Sequence, residues 1–180
     1  EVAKILTDGT LATRVIDILG STSEPILQAS LCRTIWLLAT TEAVKLAVVN
    51  GGGIFYLAAL VSAADPAVQQ EATLLLVCLT TTTEACGQFV AADGVASLLS
   101  LLLVDNSTLR RSALQLLTNL CKQSCAEAAS SAGAASPLAE DLVRATAIAK
   151  GWAEGNVAES AKDAAMALAC LTAMADSGSR

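Results

Sequence analysis

PAVQQEATLLLVCL, residues 66–79, is the second of three similar stretches that recur along this chain at a fixed spacing. PILQASLCRTIWLL begins at residue 25 and STLRRSALQLLTNL begins at residue 107, so successive copies start 41 residues apart. Two glycines, Gly53 and Gly94, keep the same spacing. A period near 40 residues is typical of stacked helical units, each of which buries its apolar face only against its neighbours. The repeat therefore predicts an all-α solenoid.

Each repeat is predicted to contain a short, a medium and a long helix. The short helices cover residues 42–50 and 84–92, and the long ones cover about 67–79 and 108–121. Apolar residues in the medium helices are three and four apart, which is the spacing of one buried helix face. Asp65 and the Asp-Asn-Ser run before the next copy are expected to cap the long helices. The glycine turn between the first two helices is expected to need a positive φ.

This pattern resembles the armadillo repeat. The resemblance is carried by GGIFYLAALVSAADPAVQQEATLLLVCL (residues 52–79) and DGVASLLSLLLVDNSTLRRSALQLLTNLC (residues 93–121). It implies a right-handed α-solenoid of about four stacked three-helix repeats in a single domain over residues 1–176. HEAT repeats are the nearest alternative, but they have two helices and lack the glycine turn.

The last repeat is longer than the others. Leu171 follows the equivalent Leu120 by 51 residues instead of 41, which predicts an insertion near residues 144–155 that lengthens the second helix or forms a loop. Residues 177–180 are expected to fray. The resulting units are 1–41, 42–82, 83–123 and 124–176.

The resemblance also indicates where a partner would bind. In armadillo proteins the third helices line a concave groove, and peptide-binding members carry a tryptophan followed four residues later by an asparagine. The tryptophan position is held here by Arg33, Leu74, Gln115 and Met166. The asparagine position is held by Leu37, Cys78, Asn119 and Cys170, and an acidic position by Ser30, Glu71, Ser112 and Asp163. Only Asn119 matches the ladder, so binding of basic localisation peptides is not expected.

These positions, together with Arg111, predict a partly apolar groove. Such a groove suits a helical or extended segment of another protein, and Arg33 and Arg111 are expected to pair with acidic residues flanking that segment. Trp36 lies one residue out of register and is expected to pack in the core. For any one of the groove leucines, burial against the adjoining repeat is about as good an explanation as exposure in the groove.

Composition excludes several functions. The net charge is −6 and Arg110-Arg111 is the only basic pair, so nucleic acid is not an expected partner. No stretch approaches the length of apolar residues needed to cross a membrane. The six cysteines show no pattern of a secreted disulfide framework, which favours a reducing, cytoplasmic location.

Catalysis is not expected because the chain has no histidine, which removes the common nucleophilic triads and the histidine-based zinc motifs. The adjacent carboxylates Glu140 and Asp141 are interpreted as solvated. Cys121 and Cys125 are four residues apart but lack further ligands, so no metal and no cofactor are predicted.

The leading hypothesis is therefore a non-enzymatic scaffold or adaptor that binds a protein segment in its groove. One alternative is a self-assembling section of a larger armadillo protein, such as a cytoskeletal, ciliary or chaperone-cofactor component, that associates through the ends of the solenoid. Another is a helical domain that encloses a lipid or small molecule, favoured only by the high mean hydropathy of +0.58.

Overall fold

The structure, a computed structural model, describes residues 10–123, 125–150 and 155–178. Eleven helices and no strand lie in these residues. Their bounds are α1 Thr10–Ser21, α2 Pro25–Leu38, α3 Glu42–Asn50, α4 Gly53–Leu60, α5 Pro66–Leu79, α6 Thr83–Ala91, α7 Gly94–Leu102, α8 Ser107–Lys122, α9 Ala126–Ser131, α10 Ala135–Ala149 and α11 Val157–Gly178.

Short polar residues fix the starts of the helices. Thr41 and Thr82 accept hydrogen bonds from the third backbone N–H that follows each of them, which caps α3 and α6. The Asp65 carboxylate accepts from the N–H groups of the second and third residues beyond it, and Pro66 supplies the preorganised first position of α5. Asn106 caps α8 in the same way. The caps expected before the long helices are therefore confirmed.

The glycine turn has the positive φ that the sequence predicts, but Gly53 and Gly94 are not the residues that adopt it. The positive φ belongs to the preceding residue, Gly52 at 76° and Asp93 at 56°. Gly53 and Gly94 are needed because the chain approaches itself closely there. A Cβ on Gly53 would lie 2.8 Å from the Val48 side chain, and one on Gly94 would lie 2.5 Å from the Phe89 ring.

The third helices α2, α5, α8 and α11 lie side by side in chain order, and each packs against the next. The second helices α1, α4, α7 and α10 pack beneath them. Leucines of the third helices fill the core between these layers, including the completely buried Leu75, Leu76, Leu116 and Leu117. This arrangement confirms the predicted all-α solenoid.

The end of the chain carries the extra residues of the longer repeat. The helix α10 has 15 residues, compared with 8 in α4 and 9 in α7, so its second helix is lengthened. Residues 151–154 of the expected insertion, including Trp152, lie outside the described residues, as do residues 1–9, 124 and 179–180. The helix α11 continues to Gly178, into the segment expected to fray. The boundaries of the four units stay a prediction.

The interpretation of Glu140 and Asp141 as a solvated pair is wrong for Asp141. Glu140 is exposed, but Asp141 is buried and its Oδ1 lies 2.7 Å from Arg144 Nη1 and 3.6 Å from Arg110 Nε. The physical reason is that α10 packs on α11 and α7, which removes the Asp141 side of α10 from solvent. The carboxylate joins α10 to α8 through Arg110.

No single helix within the described ranges is long and apolar enough to cross a membrane. Two successive helix pairs, α3 with α4 and α6 with α7, reach the necessary length and composition together, but they bend by 79° and 91°.

Candidate functional site

The exposed face of the four third helices, here called the third-helix surface, contains the residues predicted at the tryptophan position. Arg33 projects from α2 with 70% of its side chain exposed. Leu74 on α5, Gln115 on α8 and Met166 on α11 are each partly exposed. One residue from each third helix therefore faces solvent on this surface.

A shallow cavity of about 250 Å³ opens on this surface between α5 and α8. Its lining residues are Leu74, Val77, Thr108, Arg111, Ser112 and Gln115. Leu74 and Val77 give the cavity an apolar floor, and its other lining residues are polar or charged. Three of the predicted groove residues of α5 and α8 (Leu74, Arg111 and Gln115) therefore meet at one depression, and Ser112 of the acidic position lines it too.

The expectation that Trp36 packs in the core is wrong. Its side chain is 47% exposed on α2. The equivalent residue on α5, Val77, is only partly buried and lines the cavity. The equivalent residue on α8, Thr118, is buried, so exposure at this register position differs from one third helix to the next. The neighbouring Leu37 is also exposed.

The residues at the asparagine position reach back to the preceding third helix. The Cys78 thiol donates to the Ala39 carbonyl over 3.8 Å, and Asn119 Nδ2 donates to the Val77 carbonyl over 3.1 Å. The Cys170 sulfur lies 3.4 Å from the Thr118 hydroxyl. These contacts join successive helices, so this row stabilises the stack.

Two members of that row are consequently not open to a partner in the way the sequence predicts. Cys170 is completely buried, because its side chain lies in the seam between α11 and α8. Both the nitrogen and the oxygen of the Asn119 amide already form hydrogen bonds within the domain. Its nitrogen satisfies one of the last carbonyls of α5, and its oxygen accepts from Gln115 Nε2 over 3.4 Å.

The acidic position supplies charges that pair with arginines of the same surface. Arg111 Nε donates to Asp163 Oδ1 over 2.9 Å, and its Nη2 lies 3.1 Å from Glu159 Oε2. These bonds raise the pKa of Arg111, chiefly through Asp163. Ser112 is buried and its hydroxyl donates to the Thr108 carbonyl, while Ser30 is exposed and donates to the carbonyl of Ile26.

Arg33 is less closely paired with a carboxylate than Arg111 is. Its Nη1 lies 3.8 Å from Glu71 Oε1, without a short hydrogen bond, and most of the side chain is in solvent. An exposed pair at this distance contributes little. Arg33 is therefore the cation of the third-helix surface that is more accessible to an incoming carboxylate.

Two of the buried thiols are packing residues. Burial raises the pKa of Cys32 and of Cys86 to about 12, so both remain protonated packing residues. A hydrogen bond from the Cys121 thiol lowers the pKa of Cys170 and raises that of Cys121. In the part of the chain that the structure describes, no group of three or more histidine, cysteine, aspartate or glutamate side chains is placed to hold a metal ion.

A second cavity, of about 350 Å³, lies beside the start of α11. It contains Arg110 and Arg111 together with Asp105, Glu159 and Asp163. Both arginines are already paired with carboxylates, and Ile148 is the one large apolar residue in the lining, so this cavity is less suited than the first to an apolar side chain.

Comparison with known proteins identifies the architecture. No family model and no curated protein matches the sequence. Among solved structures, a designed armadillo repeat protein in complex with the peptide (KR)4 superposes with a TM-score of 0.70 at 19% identity, over 92% of this chain and 70% of that one. The chain has an armadillo-like repeat fold. The predicted resemblance is thereby confirmed.

Other structures agree with this assignment. Another designed armadillo repeat protein gives a TM-score of 0.66 at 16% identity, over 95% of this chain and 89% of that one. An engineered protein gives a TM-score of 0.73 at 23% identity over 89% of this chain. The chain spans 62% and 40% of the lengths of two of the engineered proteins that it matches. These identities show the fold alone.

Proposed function

We propose that this armadillo-like domain is a non-enzymatic scaffold that binds a segment of another protein on its third-helix surface, in a cytoplasmic setting. The observation that supports this most directly is the open cavity between α5 and α8, where Leu74 and Val77 present an apolar floor to solvent. An apolar side chain of a helical or extended segment fits such a depression. The designed armadillo protein bound to a peptide supports the general mode of binding.

The flanking residues define the chemistry of the partner. Trp36 and Leu37 are exposed apolar residues of α2, and an exposed tryptophan is a frequent anchor of protein interfaces. Arg33 is the residue of α2 equivalent to Leu74 and is largely free to pair with a carboxylate. Because Arg111 is already held by Asp163 and Glu159, we assign recognition of an acidic flank to Arg33. The proposed partner segment therefore combines an apolar anchor with a neighbouring acidic residue.

The test is a selection of random peptides by phage display on the purified domain, followed by titration of the selected peptides. Leu74→Glu places a charge on the floor of the cavity, and Arg33→Glu reverses the charge beside it. The matched control is Ala96→Glu, an exposed position on the second helix α7. Circular dichroism establishes that all three variants keep the helical fold.

Peptides that bind the native domain and the Ala96→Glu variant equally, but bind Leu74→Glu at least about tenfold more weakly, support the groove; tenfold corresponds to about 1.4 kcal/mol. Arg33→Glu is expected to weaken only the peptides that carry an acidic residue. Peptides that retain full affinity for Leu74→Glu contradict the proposal, as does a selection that yields no binder.

A further inference from the structure

The seams between neighbouring third helices repeat one pair of facing positions. In the α2–α5 seam the Cys78 thiol donates to the Ala39 carbonyl over 3.8 Å, and in the α5–α8 seam Asn119 Nδ2 lies 3.4 Å from the Thr80 hydroxyl. The 41-residue period relates Ala39 to Thr80 and Cys78 to Asn119. The residue at or just beyond the end of one third helix therefore meets a fixed position of the next one.

In the seam between α8 and α11 both of these positions are cysteines. Cys121 follows Thr80 by 41 residues, and Cys170 follows Asn119 by the 51 residues of the longer repeat. The register thus predicts contact between the two side chains, and the Cys121 thiol donates a hydrogen bond to the Cys170 sulfur. The hydroxyl of Thr118, one helical turn before Cys121, lies 3.4 Å from the same sulfur. Two thiols therefore face each other across this seam.

The contacts around Cys170 make its sulfur the more reactive of the two. The hydrogen bond from Cys121, together with that from Thr118, favours the thiolate and outweighs burial, so the pKa of Cys170 lies below that of an ordinary thiol. Lys122 adds a nearby positive charge. The thiolate is the form of cysteine that attacks an oxidant. Cys121 keeps its proton, because that proton is held in the hydrogen bond to Cys170.

The burial of the pair admits a small oxidant. Cys170 is completely buried and Cys121 is 9% exposed, so solvent reaches the pair at the edge of the Cys121 side chain. Hydrogen peroxide is close to water in size, whereas a disulfide such as oxidised glutathione is far larger than this opening. A peroxide is therefore the class of oxidant that fits the seam.

We propose that Cys121 and Cys170 are a peroxide-responsive pair that closes into a disulfide between α8 and α11. The Cys170 thiolate attacks one peroxide oxygen, the O–O bond breaks, and Cys170 becomes a sulfenic acid. The hydroxide that leaves takes up the proton that Cys170 had released. The Cys121 sulfur then attacks the sulfenic sulfur, the S–O bond breaks, and the hydroxyl departs as water with the Cys121 proton. Both sulfurs are oxidised, and one peroxide is reduced to two waters.

The disulfide would fasten the last third helix to the one before it. It joins residues 121 and 170, so it closes a long loop in the unfolded chain, and long loops give the larger entropic stabilisation. In a reducing compartment such bonds are transient, and other thiols reverse them. The seam therefore has the composition of a reversible clamp. This proposal concerns the α8–α11 seam and does not depend on partner binding at the third-helix surface.

The experiment treats the purified chain with hydrogen peroxide, counts its free thiols after unfolding, and maps bonded peptides by mass spectrometry without reduction. The two seam variants are Cys121→Ser and Cys170→Ser. Cys78→Ser is the matched control, because Cys78 holds the register of Cys170 but faces the Ala39 carbonyl. Circular dichroism before oxidation establishes that each variant is folded, and mapping on the native chain decides the outcome even where a serine variant does not fold.

The native chain is expected to lose two of its six thiols and to yield one peptide pair, bonded through Cys121 and Cys170. Cys78→Ser is expected to lose two thiols as well, and the seam variants are expected to form no disulfide. Dithiothreitol is expected to restore the lost thiols. The disulfide is expected to raise Tm by about 4–16 °C, whereas peroxide-treated Cys121→Ser, which shares any oxidation of methionine, shows no rise.

The proposal is overturned if the native chain keeps all of its thiols, or if the mapped bond joins another pair, such as Cys121 with Cys125. It is also overturned if the seam variants lose two thiols as the native chain does. Thiol loss that dithiothreitol does not reverse contradicts it too, because such loss marks sulfinic or sulfonic acids. A bond between Cys121 and Cys170 that leaves Tm unchanged would refute the clamp.

Discussion

Substitution of Gly94 by alanine tests the reason that the chain needs glycine at a 41-residue spacing. Gly94 begins α7, and an added Cβ would lie 2.5 Å from Cε2 and 2.6 Å from Cζ of Phe89. Ordinary carbon contacts are about 3.5–4.0 Å, so the methyl group overlaps the ring by about 1 Å. Phe89 is completely buried and the core around it is occupied, so the ring has little space into which to move.

The expected loss of stability follows from two opposing terms. Inserting a methyl group into a packed core costs about 1–3 kcal/mol. Replacing a helical glycine by alanine stabilises a helix interior by up to about 1 kcal/mol, and less at the first residue of a helix. The unfolding free energy of Gly94→Ala is therefore expected to fall by about 1–2 kcal/mol. At about 2–4 °C for each kcal/mol in a domain of this size, Tm falls by about 2–8 °C.

Gly87 provides the control within the same repeat. It lies inside α6, and nothing is within 4 Å of the position that its Cβ would occupy. Only the helix-propensity term then remains, so Gly87→Ala is expected to raise the unfolding free energy by about 0.5–1 kcal/mol. The two substitutions are chemically identical and differ only in the space that receives the methyl group.

Urea denaturation followed by circular dichroism at 222 nm, a wavelength chosen because it reports helix content, measures both variants against the native chain. The reasoning is refuted if Gly94→Ala is as stable as the native chain or more stable. It is also refuted if both alanine variants change stability in the same direction by the same amount, because the effect would then be a property of the substitution and not of contact with Phe89.

Two further predictions concern polar groups that join the helices. Asn119→Ala removes the hydrogen bond to the Val77 carbonyl and leaves that carbonyl without its partner, so the unfolding free energy is expected to fall by about 1–2 kcal/mol; an unchanged urea midpoint would contradict the assigned role. Burial raises the pKa of Asp141 above its ordinary value, so its contribution to stability is present at low pH and is lost as the pH rises through the folded-state pKa. The stability of the native chain relative to Asp141→Asn is accordingly expected to decrease as the pH rises above the ordinary aspartate pKa of about 4, and a difference that stays constant with pH would show that Asp141 does not titrate in this way.

The local signals in the sequence predict most of the fold, because they act over a few residues. The 41-residue period locates α2, α5 and α8, and the capping side chains of Asp65 and Asn106 mark where the last two begin. Glycine at residues 53 and 94 marks the turn correctly. The lack of space for a side chain at these two residues was not predictable, because it depends on other side chains that reach the turn only after packing.

The candidate site is less determined by the sequence. The register places Leu74 and Gln115 on one surface, and the structure brings them together at one cavity. The asparagine position, in contrast, points into the seams between helices, so Cys170 is buried although its place in the register suggested an open groove. A rotation of a few tens of degrees about the helix axis decides whether a position faces solvent or the seam with the next helix. The spacing of residues in the sequence does not determine that rotation.

The sequence by itself thus determined that the chain folds into stacked armadillo-like repeats, because period, capping and turn residues are local properties. Only the tertiary structure decided which of those residues remain accessible. Trp36 is exposed and Asp141 is buried, each against the expectation from its neighbours along the chain, because exposure depends on which helix lies opposite. The same physical reason separates Leu117 from Leu168, two leucines at one register position, because α11 covers Leu117 and no helix among the described residues covers Leu168.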